Sequence, residues 1–119
     1  MSVFKVTVRQ EEKLRMKCTG EKHEMLIDEP ERLGGTDLAM NPLEVLLSSF
    51  GACMSVHAWL LAERMNIRLK DVCFELEGET GPYERVGNIT PVGFRRIHTR
   101  ISVEADNSQE EIDAFVHEI

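Results

Sequence analysis

The sequence predicts an α+β domain built on one long helix, and three observations lead to that class. Residues 41–65 form a mostly apolar run, uncharged from Val45 to Ala62 unless His57 is protonated, with helical signals at its start. Segments before and after this run alternate apolar and polar residues, which is the period of a β-strand. Residues 107–119 combine a capping Asn107 or Ser108, an acidic first turn and an apolar stripe, which indicates a second helix. A chain of 119 residues is expected to form one domain with a modest core.

The first thirty residues predict an antiparallel meander with one wet face. Its three strands are expected over residues 2–9, 13–19 and 22–28. A polar turn over residues 10–12 and a hairpin turn at Gly20 separate them. Cys18 lies on the apolar face of the second strand, where a cysteine is most often a small, inert hydrophobe.

The central helix follows a loop over residues 29–40. Asn41 is a suitable N-cap, Pro42 suits the first helical position, and Glu44 stands where a capping-box partner would. The helix is apolar nearly all round, which predicts burial on several sides. Its three serines, glycine and histidine disfavour the alternative of a membrane-spanning helix.

Two further strands are expected over residues 70–79 and 93–105, joined by a long turn or flap over residues 80–92. Alternation turns Val72, Phe74, Leu76, Ile97, Ile101 and Val103 inward and Cys73 outward. The outward basic row Arg96, His98 and Arg100 has two interpretations, an anion site or a cross-strand complement to Glu75, Glu77 and Glu79. The complement is the simpler interpretation.

Composition excludes several function classes. A net charge of −7 argues against nonspecific nucleic-acid binding, which requires basic surfaces. No signal peptide is visible, and three cysteines without one indicate free thiols in the cytoplasm. No phosphate-binding glycine loop and no spaced metal-ligand motif is present, so neither a metal nor an organic cofactor is expected.

Cys53, at the middle of the central helix, is the candidate reactive group. His57 lies one helical turn further on, on the same face. A protonated histidine or an arginine favours the nucleophilic thiolate, and Arg9, Arg15 and Arg32 are the N-terminal candidates. The alternative is a core cysteine beside a core histidine. The residues alone favour this alternative, because nothing local ensures a lowered pKa of the Cys53 thiol. Glu44 is about half a turn out of phase with Cys53, so capping is its default role.

Three stretches of the chain resemble the OsmC/Ohr family of osmotically induced and organic-hydroperoxide-resistance proteins. DEPERLGGTDLAMNPLEVLLSSFGAC, residues 28–53, resembles the family's loop, helix start and mid-helix cysteine. AERMNIRLKDVCFELEGE, residues 62–79, and GFRRIHTRISVEAD, residues 93–106, resemble its later strands. The resemblance spans residues 3–119.

The resemblance implies a curved antiparallel sheet wrapped around the long helix, in an intertwined homodimer with its sites at the subunit interface. It also implies hydroperoxide reduction, with Cys53 as the peroxidatic thiol and an N-terminal arginine as its activator. A second, resolving cysteine usually follows the later helix. This chain stops at Ile119 in the middle of an apolar stripe, so it either ends there or is incomplete.

The predicted function is therefore a thiol-dependent hydroperoxide reductase in a single domain over residues 1–119. Cys53, Arg15 and Glu44 form the predicted catalytic set, and Phe50, Met54 and His57 the predicted substrate contacts. The predicted partners are a second copy of the chain, a small hydroperoxide and an external thiol reductant, without nucleic acid or membrane. The alternative is a noncatalytic OsmC-like protein that binds a small hydrophobic molecule at the dimer interface.

Overall fold

A computed structural model describes residues 1–81, 87 and 93–119. The described residues form the strands β1 (Thr7–Glu12), β2 (Arg15–Thr19), β3 (Glu24–Ile27), β4 (Leu69–Thr80) and β5 (Phe94–Ala105), the helices α1 (Pro42–Arg64) and α2 (Gln109–Glu118), and a 3-10 turn (Glu31–Leu33). The α+β class is confirmed. The described strands pair in two antiparallel sheets, β1–β2–β3 and β4–β5. The chain comprises two compact units, residues 1–46 and 47–119.

The sheet of the first unit confirms the predicted meander, with one displaced turn. The first strand begins at Thr7 rather than at residue 2, and it continues through the segment predicted as a turn. The chain reverses instead at Lys13, which has a φ of 52°. The Gln10 side-chain amide donates to the Lys13 carbonyl at 2.6 Å, and the strand register shifts between Gln10 and Glu12. A local hydrogen bond and a bulge therefore set the position of this turn. The alternation of apolar and polar residues predicts neither of them.

Helix α1 begins as predicted. The Asn41 side-chain oxygen accepts from the Glu44 backbone N–H at 2.8 Å, and the Glu44 carboxylate accepts from the Asn41 N–H at 3.1 Å. These two bonds are a capping box, and Pro42 is the first helical residue. At the other end Asn66 has a φ of 55°, and the Ile67 N–H donates to the Ala62 carbonyl at 2.9 Å. This left-handed residue ends the helix at Arg64, next to the end of the run over residues 41–65 from which the sequence predicts it.

The core of the second unit lies between α1, α2 and the inner face of the β4–β5 hairpin. Its buried members are Ala58, Ala62, Ile67 and Phe115. Phe115 comes from the apolar stripe of α2, and its side chain is fully buried. Val72 and Phe74 pack against this cluster, as the alternation of β4 predicts. Small alanines on α1 let the aromatic ring and the strands come close to the helix backbone.

The β4–β5 register confirms the predicted charge complement. Glu75 stands opposite Arg100, Glu77 opposite His98, and Glu79 opposite Arg96. Ile97 was expected to face inward, but it is 39% exposed near the outer end of the hairpin. Most of the predicted flap, residues 82–86 and 88–92, lies outside the described residues.

The expectation that α1 is buried on several sides is wrong for the single chain. Within α1, every residue of which is described, the buried residues are Gly51, Ala58 and Ala62. These three positions mark one face, and large apolar side chains on the rest of the helix are exposed. Helix α1 is also the one described helix that is long and apolar enough to cross a membrane, a test that core helices of soluble proteins pass as well.

Candidate active site

Cys53 lies on the exposed side of α1. It is five residues from buried Ala58, which places it about 140° around the helix from the covered face. Its side chain is exposed, whereas Cys18 is buried in β2. Cys73 is exposed on the outer face of β4, as alternation predicts. A small reagent in solution therefore has access to Cys53 and Cys73, and Cys18 is shielded.

The predicted substrate contacts fall on two sides of the helix. Phe50 and His57 lie three residues before and four after Cys53, so they share its face, and both are exposed. Met54 is four residues from Ala58 and half-buried, so it shares the covered face instead.

The surroundings of Cys53 on α1 are strongly apolar. The large exposed side chains of this helix are Leu43, Leu46, Phe50, Val56, Trp59 and Leu60. We call Leu46, Phe50, Val56 and Leu60, with Cys53 among them, the exposed face of α1. Leu60 is 56% exposed and Val56 61% exposed, values typical of neither a core nor an ordinary wet helix face.

Arg15 is the least exposed of the three candidate arginines. It opens β2, and its side chain is only 17% exposed. Its Nε donates to the Glu11 carboxylate at 3.1 Å, Nη2 to Glu12 at 3.3 Å, and Nη1 to the Thr36 hydroxyl at 2.9 Å. Arg9 and Arg32, by comparison, are exposed. Three donors of the guanidinium are thereby held, and Nη1 and Nη2 each retain one further N–H.

Asp28 is a functional candidate that sequence analysis missed. Its carboxylate is fully buried at the end of β3. One oxygen accepts from the backbone N–H groups of Glu29 (2.8 Å) and Thr36 (3.0 Å). The other accepts from the Leu38 N–H (3.1 Å) and from the Thr36 hydroxyl. The signal in the sequence was an aspartate before a Pro- and Gly-containing loop, which is typical of a side chain that bonds to the following backbone.

These bonds decide the charge state of Asp28. Burial alone raises the pKa of a carboxyl group, but here the Thr36 hydroxyl and the three backbone donors outweigh burial. The pKa of Asp28 is held well below its ordinary value. Asp28 is therefore a buried anion at neutral pH, and the loop over residues 29–38 is folded around it.

Glu44 is engaged at the start of α1, where its carboxylate accepts from Asn41. The carboxylates that contact Arg15 at bonding distance include those of Glu11 and Glu12. Arg15 and Glu44 belong to the first unit, and Cys53, Phe50, Met54 and His57 to the second. The catalytic assignment of Glu44 stays a prediction.

An anion site and a metal site are the two other kinds of site on which the sequence bears. The outer face of the β4–β5 hairpin has a depression of about 250 Å³ lined by Glu75, Glu77, His98, Thr99 and Arg100. Its charges alternate in sign across the strands, so it lacks the excess positive charge that an anion site requires. Among the described residues, no group of three or more His, Cys, Asp or Glu side chains is placed to hold a metal ion.

Comparison with known proteins supports one family. A sequence model of the family described as OsmC-like protein matches residues 35–119, which confirms the resemblance. A search of curated proteins found no match to this chain.

Solved structures similar to this chain include several OsmC-like proteins. An OsmC-like protein from Mycoplasma pneumoniae superposes with a TM-score of 0.81 at 22% identity, covering 98% of this chain and 79% of that one. An OsmC-like protein of unknown function from Vibrio cholerae has a TM-score of 0.80 at 9% identity, covering 98% and 86%. An organic hydroperoxide resistance protein OsmC from Legionella pneumophila has a TM-score of 0.60 at 18% identity, covering 98% and 81%. These likenesses establish the fold.

Proposed function

The chain belongs to the OsmC-like protein family, and on that premise we propose that it is a thiol-dependent hydroperoxide reductase. The observation that carries the proposal is that Cys53 lies outside the chain's own core, on the apolar exposed face of α1, where the site would lie beside the proposed partner copy. Sulfur oxidation requires an accessible thiol, and a core cysteine is inert. The name of the Legionella protein, organic hydroperoxide resistance protein, supports a redox role in stress for this fold.

The proposed reaction starts with the thiolate of Cys53. Its sulfur attacks the outer oxygen of the hydroperoxide, an S–O bond forms and the O–O bond breaks. The alkoxide leaves and takes up a proton to become the alcohol, and the sulfur, oxidised by two electrons, becomes a sulfenic acid. An external thiol then displaces water to form a mixed disulfide, and a second thiol releases reduced Cys53.

An external thiol is the reductant that we propose, and the positions of the other cysteines within residues 1–119 support it. Cys18 is buried in the first unit, and Cys73 points outward from β4. Helix α2 contains no cysteine. None of these groups suits the resolving role, so we propose a small or protein dithiol in the cytoplasm as the reductant.

Arg15 is the proposed activator of Cys53. Its guanidinium is half-buried and anchored, whereas Arg9 and Arg32 are exposed. An arginine that retains two free N–H donors is suited to stabilise a thiolate and the departing alkoxide. His57 and Phe50 share the Cys53 face, where we propose that they border the hydroperoxide. Met54, the residue directly after Cys53, is half-buried on the covered face, so it is the weakest of the three proposed contacts.

We propose that a second copy of the chain covers the exposed face of α1. The family membership and the run of large exposed apolar side chains support this partner. An apolar surface of this kind on a lone chain favours association. A homodimer would also surround Cys53 with apolar groups, which favours organic hydroperoxides over hydrogen peroxide.

The decisive test is a comparison of Cys53→Ser with Cys73→Ser, a matched change at the other exposed cysteine. Reduction of cumene hydroperoxide is followed with dithiothreitol as the reductant, and a sulfenic-acid trap is located by peptide mass spectrometry. We expect Cys53→Ser to abolish activity and trapping, and Cys73→Ser to retain both. Wild-type turnover of cumene hydroperoxide is expected to exceed that of hydrogen peroxide.

The same measurements test a second candidate function, a noncatalytic protein that binds a small hydrophobic molecule. The exposed apolar face of α1 is the observation that favours it. Slow or indiscriminate oxidation of the wild type, or activity that survives in Cys53→Ser, would reject the peroxidase and leave ligand binding as the better proposal.

A further inference from the structure

Arg15 is held by an unusual set of partners. Glu11 and Glu12 contact it through side chains that are themselves 35% and 63% exposed. Solvent screens such pairs strongly, and long glutamate side chains give little fixed geometry. The third partner, the Thr36 hydroxyl, comes from the loop around buried Asp28, 21 residues away along the chain. Because the glutamates are exposed, we infer that the Thr36 hydroxyl mainly sets the position of the guanidinium.

The direction of each hydrogen bond follows from the chemistry of the groups. A threonine hydroxyl has one proton, and Thr36 donates it to the Asp28 carboxylate, which can only accept. The same oxygen then has lone pairs free, and it accepts from Arg15 Nη1. Because arginine can only donate, this order cannot reverse. The three groups form a one-way chain from Arg15 through Thr36 to Asp28.

The chain of bonds also preserves the charge of Arg15. Asp28 distributes its negative charge over four donors, and a neutral hydroxyl stands between it and the guanidinium. A carboxylate bonded directly in place of Thr36 would neutralise the arginine more strongly. Arg15 is thus oriented from the buried side without a third anionic ligand.

We propose that Asp28 and Thr36 are positioning residues that hold Arg15 in the orientation in which it activates Cys53. This inference rests on the proposed function. Asp28 touches neither substrate nor thiol in this proposal, and it acts by fixing the Thr36 hydroxyl, which in turn fixes the guanidinium. Loss of the hydroxyl should then weaken activation of the thiolate while leaving Cys53 and Arg15 present.

The test compares Thr36→Val, which removes the hydroxyl at nearly constant shape, with Thr36→Ser, which keeps it. Two quantities are measured: kcat/KM for cumene hydroperoxide, and the pH at which alkylation of Cys53 by iodoacetamide reaches half its maximal rate. We expect Thr36→Val to lower kcat/KM about tenfold or more, since hydrogen bonds to charged groups are among the stronger ones. The half-maximal pH should rise. Thr36→Ser should stay within about twofold of the wild type in both.

A double-mutant cycle with Arg15→Ala separates positioning from general damage. If Thr36 acts through Arg15, Thr36→Val should not lower kcat/KM further in a variant that already carries Arg15→Ala. An equal loss in both backgrounds would overturn the inference, as would a tenfold loss in Thr36→Ser. That variant keeps the inference falsifiable even if Thr36→Val fails to fold.

Failure of the proposed function has a different signature. A wild type without peroxidase activity, or an Arg15→Ala variant as active as the wild type, would remove the premise. An active wild type, a weakened Arg15→Ala variant and an unaffected Thr36→Val variant would reject the positioning chain alone.

Discussion

At the scale of single residues, Asp28 shows how one buried carboxylate organises a loop. Four donors converge on it, three of them backbone N–H groups of the loop it begins. A buried charge is destabilising without such compensation, so the carboxylate and the loop conformation depend on each other.

The low pKa of Asp28 predicts an acid-sensitive contribution to stability. A carboxyl group whose pKa is lower in the folded state stabilises the fold at any pH above its pKa in the unfolded chain. For aspartate that unfolded pKa is about 4. That contribution is lost as the pH falls further. We expect Asp28→Asn to lower the free energy of unfolding at pH 7 and to flatten its decline below about pH 4. Urea denaturation across a pH series at fixed protein concentration measures both. Asp71→Asn, at an exposed position of β4, is the control, and parallel pH curves for wild type and Asp28→Asn would contradict this account.

Gly35 supplies the close approach that the Asp28 loop requires. A Cβ added there would overlap the backbone carbonyl of Glu29 and lie 2.8 Å from an Asp28 carboxylate oxygen. At Gly20 the nearest heavy atom would be 3.5 Å away, an ordinary contact. We expect Gly35→Ala to destabilise the chain by about 1–3 kcal/mol or more, because backbone cannot move aside cheaply. Gly20→Ala is the matched control in thermal unfolding, and equal melting temperatures would refute the steric role.

At the scale of elements, both helices are defined by capping boxes written into the sequence. Asn41 and Glu44 start α1, and Ser108 and Glu111 start α2. Helix α2 needs this start more, because it is short and contributes buried Phe115 to the core. Hydrogen bonds from the Ser108 hydroxyl and backbone lower the pKa of Glu111, which keeps that carboxylate charged near the positive helix end.

Removal of the α2 cap should therefore be measurable. We expect Ser108→Ala to destabilise the protein by about 1 kcal/mol, since it leaves the Glu111 N–H without its side-chain acceptor. Ser108→Asp retains a capping oxygen and should stay close to wild type. Chemical denaturation of the two variants gives the difference, and equal loss in both would mean that the cap is not the cause.

At the scale of the whole molecule, α1 is more apolar than its burial within one chain explains. The helix is apolar nearly all round, yet three of its residues are buried. The small residues Gly51, Ala58 and Ala62 face the chain's own core, and Leu46, Val56 and Leu60 face outward. A second copy of the chain is the partner that we propose for the outward face.

This proposal predicts a dimer in the absence of detergent. Light scattering should give twice the 13.6 kDa chain mass. We expect Leu60→Glu, on the exposed face of α1, to shift the protein toward monomer, because it would bury an unpaired charge. Lys70→Glu, at an exposed position of β4, is the control for the added charge. A wild-type monomer, or a Leu60→Glu dimer as stable as the wild type, would contradict the proposed interface.

The sequence by itself determined the α+β class, the start and end of α1, the capped second helix and the pairing of Glu75, Glu77 and Glu79 with the basic row. These features depend on residues close in sequence or on strict alternation, and short-range physics is visible in a linear pattern. It also placed Cys53 and His57 on one helical face, since helical periodicity alone decides that.

Only the tertiary structure decided which side of α1 is covered, because a helix apolar on every face carries no periodic signal of its inner side. It also decided the position of the first turn and the bond from Arg15 to Thr36, which joins residues far apart along the chain. The Asp28 network was hidden for the same reason. Burial and long-range hydrogen bonds arise from how segments meet, and no single segment encodes them.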